Sequence, residues 1–197
     1  MARTSIRWLS VFSFILILCI TVIPTGNVRA LTDLDAFVEQ VKNGQADQLR
    51  GIYIPGILAA PVIQQPNGRA GFVSAWQNIV TQFGLASKVG STGLLAHSYL
   101  AGQSFALLET KQEIYLVYGD GRVDAFAVTE ILQYQALQPD STSSTFVDLN
   151  TGDTLTYTEL FTEVYDRPGQ VILQTCISMD DDPSGGRLFV IAKPSLE

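Results

Sequence analysis

The sequence predicts an all-β domain, a barrel or sandwich of antiparallel strands with a few short helices, behind an N-terminal export segment. Three observations carry that expectation. From Gly51 onward the chain is a series of short apolar runs broken by turn residues. Residues 113–135 alternate, with Tyr115, Val117, Val123, Ala125 and Ala127 placed around Gly119-Asp120-Gly121, the pattern of a hairpin. Residues 171–192 alternate again on either side of a polar stretch rich in Asp, Pro and Gly, which reads as strand, loop, strand. At 197 residues and 47% hydrophobic, the chain allows one domain with a substantial core.

In order along the chain, residues 1–30 are expected to be a signal peptide or a membrane anchor. Arg3 and Arg7 precede a mostly apolar run over 8–24, and Val28-Arg29-Ala30 ends in a small residue that suits signal cleavage. The run is also nearly long enough to span a bilayer, so an uncleaved anchor is the alternative; both readings export the rest of the chain. Cys19 belongs to this segment, and the bulky Leu18 before it argues against a lipoprotein site. Residues 31–50 form a helix and linker. Leu34, Phe37, Val38 and Val41 recur at spacings of three and four over 31–43, with Thr32 or Asp33 as the cap. This helix either separates the membrane segment from the domain or packs against it.

The main domain is expected over 51–197. Residues 52–54 and 61–63 are candidate strands, flanked by Pro55-Gly56 and by Pro66-Asn67-Gly68. Residues 72–83 suggest a helix with Val73, Trp76, Val80 and Phe83 on one side. A short strand over 94–97 and a turn or brief helix over 102–108 precede the hairpin, in which the glycines supply the positive φ that tight turns require. Residues 138–150 form a polar loop, 155–165 hold one helical segment, and two strands close the chain.

Charge excludes one class of partner. The full chain has 12 basic and 19 acidic residues; three of the basic and none of the acidic ones lie in the first thirty, which leaves nine against nineteen, a net charge of −10. A surface so acidic, without a basic stripe, repels phosphate backbones, so nucleic acid is not an expected partner.

The chain has two cysteines, of which only Cys176 lies in the exported part. A lone thiol in an oxidising compartment forms no internal disulfide and is a liability unless it is buried or used. His97 is the only histidine in the sequence, and Arg187 follows Cys176 after ten intervening residues, at the start of the last strand. Alternation puts Ile172, Gln174 and Cys176 on one face of their strand, Val171, Leu173 and Thr175 on the other, and Arg187, Phe189 and Ile191 together on the return strand. If the faces match, the sulfur and the guanidinium point into one groove, with Gln174 as a substrate contact or a wall.

These residues resemble the sortase family. VILQTC resembles the signature T-L-x-T-C, with Leu173, Thr175 and Cys176 at matching positions and Val171 and Ile172 in place of its hydroxyl and apolar start. GGRLFVIAKP is similar to the closing sortase strand that carries the arginine, and LLAHSYLAGQSF to the stretch that carries the histidine, although Ala96 stands where many sortases have glycine. YIPGILAAPVI is similar to the early strands. The resemblance spans about residues 52–192. It implies a closed eight-stranded barrel and a cysteine transpeptidase whose substrate is a short sorting peptide of the L-P-x-T-G kind, joined to an amine at the cell surface or on a pilin.

The residue types fit such chemistry. An ordinary thiol, with a pKa of roughly 8.5, is only slightly ionised at neutral pH, so an imidazole is needed to take its proton or to hold one for the leaving amine. His97 is the candidate general acid, and Arg187 the group that stabilises the carbonyl oxygen or holds the peptide backbone. No metal or organic cofactor is required. Asp180, Asp181 and Asp182 are expected to form a solvated turn in preference to a calcium site. Two other classes compete: a cell-wall transpeptidase of the L,D type, whose second histidine and glycine before the nucleophile are replaced here by Gln174-Thr175, and an inactive barrel that binds a peptide or partner. The oligomeric state is not encoded in any feature of the sequence.

Overall fold

The computed structural model describes residues 26–141 and 143–195. The apolar run over 8–24 lies outside them; among the described residues no helix is long and apolar enough to cross a membrane. In chain order the strands are β1 (Leu49–Ile54), β2 (Leu58–Gln64), β3 (Val80–Phe83), β4 (Thr92–Leu95), β5 (Glu113–Tyr118), β6 (Val123–Ala136), β7 (Phe146–Asp148), β8 (Thr154–Leu155), β9 (Val171–Met179) and β10 (Asp182–Pro194). The helices are α1 (Gly26–Val41), α2 (Gly84–Lys88) and α3 (Tyr157–Tyr165), with a 3-10 turn at Ala101–Leu107. Eight strands close into a barrel in the order β10-β9-β4-β3-β2-β1-β5-β6, sealed by pairing between β6 and β10, while β7 and β8 continue the sheet beyond β6.

Alternation sorts the side chains onto two faces. Val171 and Leu173 of β9 and Leu188, Val190 and Ala192 of β10 point into the barrel, where they pack with Ile52, Leu94 and Ile114. Burying each of these valine, leucine and isoleucine side chains contributes about 1.5–3 kcal/mol. Ile172, Phe189 and Ile191 take the outer face and are covered by Leu160, Val164 and Tyr165 of α3. A third patch joins Leu34, Phe37 and Val41 of α1 to Tyr53 and Val117, so the N-terminal helix packs on the barrel.

Several local expectations are corrected. The pairs β2–β3 and β4–β9 are parallel, so the barrel is mixed. A parallel neighbour needs a crossover, and residues 65–79 supply the one from β2 to β3 in place of the helix expected over 72–83. Gln65 pins that crossover, donating to the carbonyls of Ala70 and Phe72 at 2.8 and 2.9 Å and accepting from the Gly84 N–H at 3.1 Å. Asn78 turns the chain with φ of 56°, Val80 to Phe83 then pair as a strand, and Trp76 is left 78% exposed. Thr32 and Asp33 lie inside α1, which begins at Gly26, so neither caps it.

The segment expected as a loop over 138–150 contains β7. The polar stretch after Cys176 is mostly strand: β9 and β10 run on to a two-residue turn at Asp180 and Asp181, both with positive φ, which asparagine-like side chains tolerate. In the β5–β6 turn only Gly121 has positive φ. Gly119 is needed for space, since a Cβ there would lie 2.3 Å from the Asn43 side chain.

Candidate active site

Three strands bring the candidate residues to one place. β4 lies parallel to β9 with Leu95 level with Gln174, and the Ala96 N–H continues the ladder to the Gln174 carbonyl at 3.2 Å. His97 is the next residue, so it leaves the strand as β9 reaches Cys176. There the chain turns: the His97 carbonyl accepts from the N–H groups of Leu100 and Gly102 at 2.9 and 3.0 Å. The imidazole stacks on Tyr99, with ring centroids 5.2 Å apart and 20° between planes.

Cys176 is a half-buried free thiol directly opposite Arg187 in the antiparallel β9–β10 pair. The α-carbons of such partners are about 4.5–5.5 Å apart, and their side chains share a face. The Arg187 guanidinium donates through Nη1 to the carbonyls of Ser184 (2.7 Å) and Gly186 (2.9 Å), and through Nη2 to that of Pro139 (3.2 Å). These bonds tie the β9–β10 hairpin to the segment after β6. Among the described residues they leave the Nε–H and one Nη2–H for an incoming carbonyl oxygen.

His97, Cys176 and Arg187 all line one groove of about 770 Å³ on the outer face of the barrel. Its floor is β9 and β10, and its far wall is α3 with Phe83, Leu85 and Val89. The groove is mostly apolar. Although the protein carries a net charge of −7, the lining holds the cations Lys88 and Arg187 and no carboxylate among the described residues. Negative charge developing on an atom held there meets cations and backbone dipoles, not like charge. The arrangement can therefore hold an extended peptide across the thiol, accept negative charge on a carbonyl oxygen and return a proton from the imidazole.

Two contributors were not evident from sequence. Tyr165 is buried at the end of α3 between Phe83 (5.2 Å between centroids), Phe161 (5.2 Å) and Phe189 (6.1 Å). Its hydroxyl donates to the side-chain carbonyl of Gln174, and burial pushes its pKa up. In sequence it shares the helical face of Leu160, Phe161 and Val164 and reads as core; only the packing of α3 on β9 reveals the polar contact. Gly102 is the second. A Cβ there would lie 2.3 Å from the Thr175 Oγ1 and 2.6 Å from the His97 carbonyl oxygen, so the turn after His97 rests directly on the residue before Cys176. The sequence marks only a turn or brief helix over 102–108, because the contact is between segments distant in sequence.

No family model and no curated protein sequence matches the chain. Among solved structures, a sortase C1 from Streptococcus suis superposes with a TM-score of 0.51 at 16% identity, covering 91% of this chain and 89% of that one. Sortase C-1 from Actinomyces oris gives a TM-score of 0.50 at 13% identity, covering 88% of this chain and all of that one (100%). What is shared at such identity is the architecture: the chain has the sortase fold, a closed eight-stranded barrel with short helices.

Proposed function

We propose that the protein is a sortase-like cysteine transpeptidase of the cell exterior, acting on a sorting peptide of the L-P-x-T-G kind. The observation that carries this reading is the single groove shared by Cys176, His97 and Arg187. The Cys176 thiolate attacks the carbonyl carbon of the threonine. A carbon–sulfur bond forms, and the carbonyl oxygen takes the negative charge beside Arg187. As the tetrahedral intermediate collapses, the carbon–nitrogen bond breaks and His97 gives its proton to the departing glycine amine, leaving a thioester. A second amine then attacks the thioester, His97 takes the proton back, and the thiolate is released with a new amide formed; water in place of the amine gives hydrolysis. Each step balances with these groups, so the reaction as written calls on no metal or cofactor. An exported chain, secreted or held by its N-terminal segment, suits a substrate and an amine acceptor at the cell surface.

The test is mass spectrometry of the full chain incubated with an L-P-x-T-G peptide lacking an acceptor amine. The expected result is a thioester adduct on Cys176, absent in Cys176→Ala, and a turnover reduced by roughly 10²–10⁴-fold in His97→Ala with the fold intact. No adduct with the wild-type chain, or an adduct that survives Cys176→Ala, would overturn the proposal.

A further inference from the structure

Gln174 lies two residues before Cys176, on the same outward face of β9, and lines the groove. Its side-chain amide is held by one neighbour. The ring of Tyr165 is enclosed by Phe83, Phe161 and Phe189, and its hydroxyl has one hydrogen-bond partner among the described residues, the Gln174 Oε1. A buried phenol left without an acceptor is costly, so the hydroxyl donates, and the amide is turned with its oxygen toward α3 and its Nε2 toward the groove. The Nε2 group has no hydrogen-bond partner among the described residues. In the open groove water satisfies it; under a bound peptide that water is expelled, and the donor needs an acceptor from the peptide.

We propose that Gln174, oriented by Tyr165, is a substrate-binding residue whose Nε2–H donates to a backbone carbonyl of the peptide two residues before the scissile one. This rests on the transpeptidase reading above. Two residues along a strand span about 7 Å, the same distance that separates like-facing carbonyls of an extended peptide. A peptide lying along β9 with its scissile carbonyl at Cys176 therefore presents a second carbonyl at Gln174. The acyl half is the part retained through both chemical steps, so the groove beside β9 is assigned to it. In Leu-Pro-x-Thr-Gly that carbonyl belongs to the proline.

The full chain is assayed for thioester formation with two peptides, Leu-Pro-Ala-Thr-Gly and its analogue with lactate in place of alanine. The ester of the analogue makes the proline carbonyl a weaker acceptor. With wild type, the analogue should react with a kcat/KM lower by roughly tenfold, mainly through KM, since a bond to a fixed donor is weakened. In Gln174→Met, which keeps the length and removes the donor, the two peptides should become equal within about twofold. Gln174→Glu keeps an acceptor for Tyr165 but turns a second oxygen toward the groove, and it should raise KM for the parent peptide by more than tenfold. An equal ratio between the peptides in wild type and Gln174→Met would overturn this inference and leave the transpeptidase reading standing. Failure of the wild-type chain to form a thioester with either peptide would remove both.

Discussion

Gly102 is a residue whose whole role is to be small. It donates to the carbonyl that precedes its own turn, that of His97, at 3.0 Å, and a Cβ on it would meet Thr175 Oγ1 at 2.3 Å and the carbonyl oxygens of His97 and Ala96 at 2.6 and 2.7 Å. Two of those three atoms are backbone, so rotation of a side chain cannot relieve the clash. The imidazole-bearing turn and the sulfur-bearing strand are thus spaced by the absence of one methyl group. Gly102→Ala should force them apart, costing about 1–3 kcal/mol of stability and, because near-angstrom displacement of an acid from its leaving group matters, about a hundredfold in acyl transfer. Two rates check this: labelling by a peptide vinyl sulfone, expected to fall, and alkylation by iodoacetamide, expected to stay within about twofold if the thiol itself is undisturbed. Equal falls in both rates would point to general disorder of the site in place of a displaced imidazole. Cys176, His97 and Arg187 could be singled out in the sequence because each is rare or flanks an apolar run, although Cys176 and Arg187 lie within β9 and β10 and not at their ends; Gly102 and Tyr165 could not, since their contacts join segments that only the folded barrel brings together.

At the scale of elements, α3 decides whether the groove has a wall. Its first turn is closed by a capping box: Thr156 Oγ1 accepts from the Glu159 N–H at 3.3 Å, and Glu159 accepts in return from the Thr156 N–H and hydroxyl, both at 2.8 Å. The Thr156 backbone N–H, with its hydroxyl second, holds the Glu159 carboxyl below the usual carboxylate range. A carboxylate depressed in the folded state stabilises above its unfolded pKa, and that contribution is lost as pH falls through the folded value. The first turn of α3 should therefore loosen only on acidification below the ordinary carboxylate range. Thr156→Ala should loosen it at neutral pH, at a cost of about 1 kcal/mol. Amide hydrogen exchange of the first turn, followed against pH, reads both effects; a turn equally protected in the variant would refute the assignment. One helical segment was expected over 155–165, where α3 lies, and the β5–β6 hairpin was legible from its alternation. The stretch over 72–83 was not: Val73, Trp76, Val80 and Phe83 keep helical spacing, yet Val80 and Phe83 fall in a four-residue strand beside β4, and a tertiary pairing overrides the local period.

For the whole molecule, the choice between barrel and sandwich rests on one seam, the pairing of β6 with β10 from Gly186 opposite Gln135 to Pro194 opposite Phe126. Nothing local in either strand marks that partnership, so closure entered the sequence reading only through family resemblance. Once closed, the barrel separates the packed interior from the groove by face. Leu173 is fully buried inside it, level with Leu94 of β4 on one side and Val190 of β10 on the other. Cys176, Gln174 and Ile172 occupy the opposite face of the same strand, under the groove and α3. Leu173→Ala should therefore lower the free energy of unfolding by about 2–5 kcal/mol through the cavity it leaves. Denaturant titration measures that loss. In the same variant, well below its unfolding midpoint, the rate of vinyl sulfone labelling at Cys176 should stay within about threefold of wild type, because β4, β9 and β10 still hold the three groups in register until the ring opens as a unit. Labelling that falls steeply while the protein remains folded would mean that interior packing, not strand register, sets the geometry of the site.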